Sequence, residues 1–126
     1  MFENADLIHS YTRADAIRDG VLIDVSEAAR EAGYRFPVAL TRAAWERCVA
    51  VPPGIECQDE AGRLWDVLTM LRFAIRRSAG GPAVRFGVHV RTDNRDRTPP
   101  LVSLKALCGP GDDGEPVITV MLPEED

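Results

Sequence analysis

The spacing of apolar positions changes partway along the chain. From residue 83 onward the period is two. In AVRFGVHVR (83–91), Val84, Phe86, Val88 and Val90 alternate with Arg85, Gly87, His89 and Arg91. LVSLKALC (101–108) places Val102, Leu104, Ala106 and Cys108 on its inward side, and VITVML (117–122) does the same with Ile118, Val120 and Leu122. Such alternation marks antiparallel strands with one face on a core and the other turned outward. Before residue 83 the longest pattern is helical. In DEAGRLWDVLTMLRFAIRRS (59–78), Leu64, Leu68, Leu71 and Ile75 fall at i, i+4, i+7 and i+11, one continuous stripe. Trp65, Val67, Met70, Phe73 and Ala74 widen it until little polar surface remains, which predicts a helix covered by the rest of the domain. Asp59 and Glu60 suit the positive end of its dipole, and Arg76 and Arg77 the negative end.

The first half holds shorter pieces. Thr12 and Asp15 have capping-box spacing for a helix over 13–19, with Gly20 past its end. VLIDV (21–25) reads as extended, and Ser26 as the cap of a helix EAARE that Gly33 terminates. YRFPVAL (34–40) is extended because Pro37 forbids a helix there. Thr41 caps RAAWERCV, which the run Val51-Pro52-Pro53-Gly54 stops. DGVLIDVSEAAREAG and RFPVALTRAAWERCV thus repeat one order, extended segment, hydroxyl cap, short helix; with few identities, this is recurring local physics rather than duplication. The expected class is α+β: an antiparallel meander of about three C-terminal strands packed on the long central helix, with short N-terminal helices and extended segments, in one domain spanning 1–126. Trp45 and Trp65 are expected to anchor the core, the competing reading placing one on an exposed binding patch. Asp66 and Arg72 are expected on the helix's narrow exposed edge or as a buried pair.

Composition adds limits. Of 126 residues 45% are apolar, enough for a core and against wholesale disorder. No apolar run approaches the roughly 18 residues that a membrane span needs. MFENADLIHSYTR has acids where a secretory signal has bases, so the expected address is cytoplasmic, without a membrane partner. Cys48, Cys57 and Cys108 form no C-x-x-C and read as reduced thiols, one or more buried. Lys105 is the only lysine beside 14 arginines, a bias that reads as a trace of a GC-rich bacterial genome rather than of mechanism. The net charge of −5 argues against bulk attraction to nucleic acid. It is unevenly placed: residues 67–108 carry 8 bases against 2 acids, +6, and residues 109–126 carry 6 acids and no base, −6, so the two segments are candidates to face each other.

Candidate chemistry is sparse. GPGDDGEP (109–116) lies between two good strands and reads as a hairpin loop. Its acids lack the spacing of a calcium loop, and a phosphate loop would open a helix. LPEED (122–126) reads as a frayed acidic end, or as a tail that docks on a basic partner. Arg85, Arg91, Arg95, Arg97 and Lys105 form the candidate contact set for a partner or for nucleic acid, since the strand phases turn Arg85, Arg91 and Lys105 outward. No aromatic residue interleaves them, as base stacking would require. His9 and His89 are the only histidines, and His89 and Cys108 fall on opposite sheet faces, which disfavours a nucleophile pair. No hydrolase-elbow, zinc-protease or Walker motif occurs, so nothing calls for catalytic residues, a cofactor or a metal. A small enzyme with a site around His89, Asp93 and Asp96 stays as the third alternative.

Three stretches together carry a resemblance: DGVLIDVSEAAREAGYRFPVALTRAAW (19–45), QDEAGRLWDVLTMLRFAIR (58–76) and GPGDDGEPVITVMLPEED (109–126). Across nearly its whole length the chain resembles a family of small uncharacterised bacterial proteins often carried by plasmids and other mobile elements. The resemblance brings no activity and no site residue with it. It implies an accessory role on mobile DNA, such as an anti-defence or regulatory binding protein. The expected function is therefore non-enzymatic binding of a protein partner, with nucleic-acid binding by the arginine set second.

Overall fold

The structure, a computed structural model, describes residues 11–126, so His9 and most of LIHSY lie outside the described residues. The elements in order are α1 (Arg13–Arg18), β1 (Leu22–Asp24), α2 (Ser26–Glu31), β2 (Val38–Thr41), α3 (Arg42–Cys48), α4 (Glu60–Arg77), β3 (Ala83–His89), β4 (Leu101–Pro110) and β5 (Pro116–Met121). The strands form one sheet in the order β1-β2-β5-β4-β3.

The expected meander of β3, β4 and β5 is present, all antiparallel, but it is only part of the sheet. β2 pairs parallel with β5, Val38 opposite Ile118 and Leu40 opposite Val120, and β1 pairs antiparallel with β2. The sheet therefore has five strands and one parallel pair. The reason is written in β2: Val38, Ala39 and Leu40 are all fully buried. A strand buried on both faces is a central strand, and a continuous apolar run is its pattern. β5 is likewise central, with Val117 and Met121 buried on one face and Ile118 and Val120 on the other.

α4 packs its Leu64, Val67, Leu68 and Leu71 onto the inward residues Val88, Val102, Leu104 and Ala106, with α2 and α3 closing the core through Ala29, Ala44, Cys48 and Val49. Each such large aliphatic side chain contributes about 1.5–3 kcal/mol by burial. Tyr34 joins them, its hydroxyl donating to the Leu68 carbonyl at 2.6 Å. The helix is less covered than its composition suggests. Only one side of it meets the core, and Trp65, Met70, Phe73 and Ile75 are exposed. Asp66 is exposed as well, while Arg72 is half-buried and bound elsewhere, so the two form neither a shared edge nor a pair.

Helix starts follow local rules with one exception. Asp59 caps α4 by accepting from Gly62 N at 2.6 Å, and Thr41 caps α3 by accepting from Ala44 N at 3.1 Å. Ser26 does not cap α2. It is the helix's first residue; its hydroxyl donates to Asp24 at 2.6 Å and accepts from Val38 N at 3.1 Å, tying the helix start to β2. α1 has a complete set of acceptors. Thr12 and Asp15 form the capping box, and Asp112, 99 residues away in the GPGDDGEP hairpin, accepts from Arg13 N at 2.7 Å and Ala14 N at 3.0 Å. All four N–H groups of that first turn are thereby satisfied.

Helix ends follow a second rule. Arg42 donates to Gly20 O past α1 at 2.7 Å, Arg72 to Ala32 O at the end of α2 at 2.7 Å, and Arg63 to Ala50 O past α3 at 2.9 Å. Gly33 makes the second contact possible: its φ of +97° ends α2, and a Cβ there would sit 2.5 Å from the Arg72 guanidinium. Arg63 is only 5% exposed, and its Nε has no partner among the described residues. Desolvation holds its pKa below the ordinary arginine value.

The C-terminal segment is docked rather than frayed. The Glu125 carboxylate accepts from Thr41 Oγ1 at 2.7 Å and from Leu122 N at 2.8 Å, and the Lys105 ammonium donates to the Glu125 carbonyl. Among the described residues no ion pair joins segment 109–126 to the basic segment 67–108. No described helix is long and apolar enough to cross a membrane.

Two substitutions test these contacts. Asp112→Ala removes a long-range cap and should lower the unfolding free energy by about 1 kcal/mol, seen as a lower urea midpoint at unchanged slope. Arg72→Met leaves the Ala32 carbonyl without its donor and should cost about 1–3 kcal/mol in the same measurement.

Candidate functional site

The arginine set chosen from sequence divides into two groups. Arg85 and Lys105 lie directly opposite each other in the β3–β4 register, on the sheet face away from α4. Arg91 stands six residues beyond Arg85, roughly 20 Å along an extended chain. It leaves the strand and organises the following loop by donating to the carbonyls of Arg95 at 2.5 Å and Arg97 at 3.0 Å. Arg97 pairs with Asp93 at 2.9 Å. The Asp93 carboxyl also accepts from Arg95 N, and these contacts, the backbone one first, hold its pKa below the usual carboxylate value. Asn94 braces the loop by donating to Gly54 O and accepting from Glu56 N, both at 2.8 Å. Arg85 and Arg95 are the members of the set whose side chains make no hydrogen bond or ion pair among the described residues.

The acid–base alternative around His89 gains no geometry. The His89 ring bonds the Pro99 carbonyl through Nδ1 at 2.8 Å, and among the described residues no hydrogen bond links it to Asp93 or Asp96. Nor do three His, Cys, Asp or Glu side chains converge among the described residues as a metal ion would require.

A different surface stands out, at the C-terminal half of α4. An apolar groove of about 430 Å³ opens between the end of that helix, the Tyr34–Phe36 segment and the inward face of β4; Ile75, Val84, Ala106 and Cys108 line it, and its charges are Arg35 and Arg72. A cleft of about 490 Å³ runs between the other flank of α4 and β3, lined by Met70, Phe73, Phe86, Arg77 and Arg85 among others. A hollow of about 230 Å³ on the outer face joins Trp65, Thr69, Phe73, Arg72 and Arg76. Five large apolar side chains here stay well exposed: Phe73 48%, Trp65 47%, Phe36 41%, Met70 40% and Ile75 38%. Scattered exposed apolar residues are ordinary, but a contiguous group around three concavities is the signature of a contact surface. None of the three linings holds an acid, although the chain as a whole carries −5.

The sequence reading expects a largely covered helix and allows an exposed patch only as the competing reading for one of the two tryptophans, so it misses Met70, Phe73 and Ile75 as surface residues. The signal was available in the width of the stripe. One packed side of a helix needs an apolar arc of about 100°, and on the helix Phe73 lies opposite Leu64, Leu68 and Leu71 while Trp65 stands about a quarter turn from them. Trp45 does pack against the core. Trp65 is the tryptophan that stays outside.

The thiols divide the same way. Cys48 is 1% exposed, and burial pushes its pKa up to about 11. Cys57 is exposed in a loop. Cys108, expected inward, has the inward parity of β4 but stands near the strand's end, where it opens into the 430 Å³ groove and is exposed.

A family model described as a family of unknown function (DUF6573) matches residues 1–126, and the chain belongs to that family. No curated protein and no solved structure matches it. The thiols offer a direct check on the surface described above. In the native protein at pH 8, Cys57 and Cys108 should react with a chromogenic disulfide reagent within minutes, while Cys48 should react only after denaturant is added. A third native-state equivalent would show that the core around Cys48 opens.

Proposed function

We propose that the chain, as one cytoplasmic domain, is a non-enzymatic protein-binding module whose contact surface is the C-terminal half of α4 with the concavities beside it. The observation that carries this reading is the group of exposed Trp65, Met70, Phe73, Ile75 and Phe36 set among Arg35, Arg72, Arg76 and Arg77 without a single acid in the concavities' linings. Aromatic residues, methionine and arginine are the side chains that interface cores favour, and a few such anchors carry most of the binding energy. The resemblance to small bacterial proteins of plasmids and mobile elements supports an accessory role on such an element. Nucleic-acid binding through Arg85, Arg91, Arg95, Arg97 and Lys105 is the competing reading. It has less support, because Arg91, Arg97 and Lys105 already use donors on the protein's own carbonyls and carboxylate.

The test is capture from a lysate of the source cell, followed by affinity measurement with the partner identified. Trp65→Glu and Phe73→Glu should each weaken that partner at least tenfold, as loss of a binding anchor does. Both should keep the wild-type unfolding temperature, since the side chains are exposed. No specific partner, or undiminished capture by both variants, would remove the reading.

A further inference from the structure

Among the described residues β3 is an edge strand of the sheet, with β4 as its one neighbour. Its backbone phase can be read from two flanking hydrogen bonds. Val90 N donates to Pro100 O at 3.0 Å, and Cys108 N donates to Pro82 O at 2.7 Å. In an antiparallel ladder a residue turns its N–H and C=O to the same side, and its neighbours turn theirs to the other. Residues 84, 86 and 88 therefore face β4, and Ala83, Arg85, Gly87 and His89 point their backbone groups away from the sheet. Among the described residues nothing bonds those groups. Edges of this kind are normally shortened, kinked by proline or covered. The other edge strand, β1, is three residues long; β3 has seven and no proline.

The open edge borders the cleft beside α4. A strand added along β3 would continue the sheet at about 4.8 Å spacing and send every second side chain toward the helix. There it meets Met70, Phe73 and Phe86, which line the cleft but fill too little of it to close its 490 Å³. The lining holds Arg77 on the helix side and Arg85, whose side chain stands on the opposite sheet face, with no acid. Pairing of β3 with a second copy of itself would merge two clefts of the same positive sign, which charge repulsion opposes.

We propose that β3 captures an extended segment of a partner protein by strand addition, the segment carrying large apolar residues at alternate positions and Asp or Glu facing Arg77 and Arg85. This rests on the protein-binding reading and names how the partner is held. Backbone pairing supplies affinity in this mode, and the alternating pockets supply selectivity.

The experiment selects random 12-residue peptides displayed on phage against the full immobilised chain, then titrates a synthetic winner into labelled protein. Winners should alternate apolar residues with a period of two and include acids. On binding, the amides of Arg85 and Gly87 should become protected from hydrogen exchange. Arg85→Pro removes an N–H that the fold does not use, a place where an edge strand tolerates proline; it should weaken the peptide more than tenfold, while Arg85→Gln costs only a few-fold. Winners that Phe73→Glu abolishes, but that bind Arg85→Pro like wild type and leave the edge amides unprotected, would overturn strand addition and leave protein binding standing. Failure to select any peptide would overturn strand addition, while the protein-binding reading stands or falls on the capture experiment. A wild-type dimer that Arg85→Pro converts to monomer would assign the edge to a second copy and overturn the foreign partner.

Discussion

A carbonyl at or just past the C-terminal end of each of α1, α2 and α3 receives a donor from an arginine elsewhere in the chain. Helices of six or seven residues have almost no internal hydrogen-bond ladder to stabilise them and depend on what holds their ends. A guanidinium meets that need well. It is always charged, it suits the negative end of the helix dipole, and its planar fork reaches a carbonyl while its stem packs. Two of the three donors, Arg63 and Arg72, stand nine residues apart on α4, so one long helix sets the positions of the α2 and α3 ends together. Arg13 works similarly on the sheet, donating to Ile118 O at 3.0 Å. The arginine bias read from composition as a genomic trace therefore has a structural use at particular positions.

That arrangement also leaves α4 partly bare. The helix is gripped along one side by the sheet and toward its two ends by short helices, and six- or seven-residue helices cover little of it. The apolar residues beyond their reach, Trp65, Phe73 and Met70, remain at the surface with the arginines not engaged in capping, Arg76 and Arg77. Support of the fold and an exposed apolar surface are thus two sides of the same helix.

Much of this was legible in the order of residues. The capping box at Thr12, the cap at Thr41, the acidic start of the long helix at Asp59, the glycine end at Gly33 and the two-residue period of β3 and β4 depend on near neighbours, and local patterns record near neighbours. What escaped depends on distant partners. Asp112 looked like a turn residue because nothing near it reveals a helix start 99 residues earlier. Glu125 looked like part of a frayed end because Thr41 and Lys105 are remote in sequence. The parallel pairing of β2 with β5 requires knowing that Val38, Ala39 and Leu40 are covered on both sides. Hydropathy says which residues avoid water; it does not say what covers them, which is why Trp65 and Leu68 read alike.

The position of β5 bears on how the chain assembles. The last of the five strands in sequence order is the middle one, hydrogen-bonded to β2 on one side and β4 on the other. Until it arrives, the β1–β2 pair and the β3–β4 hairpin have no common edge, and Val38 and Leu40 face an empty lane. Closure of the sheet through β5 pairs residues about eighty positions apart, a long-range contact of the kind that slows folding. The sheet is keyed by β5, which alone joins the β1–β2 pair to the β3–β4 hairpin among the described strands.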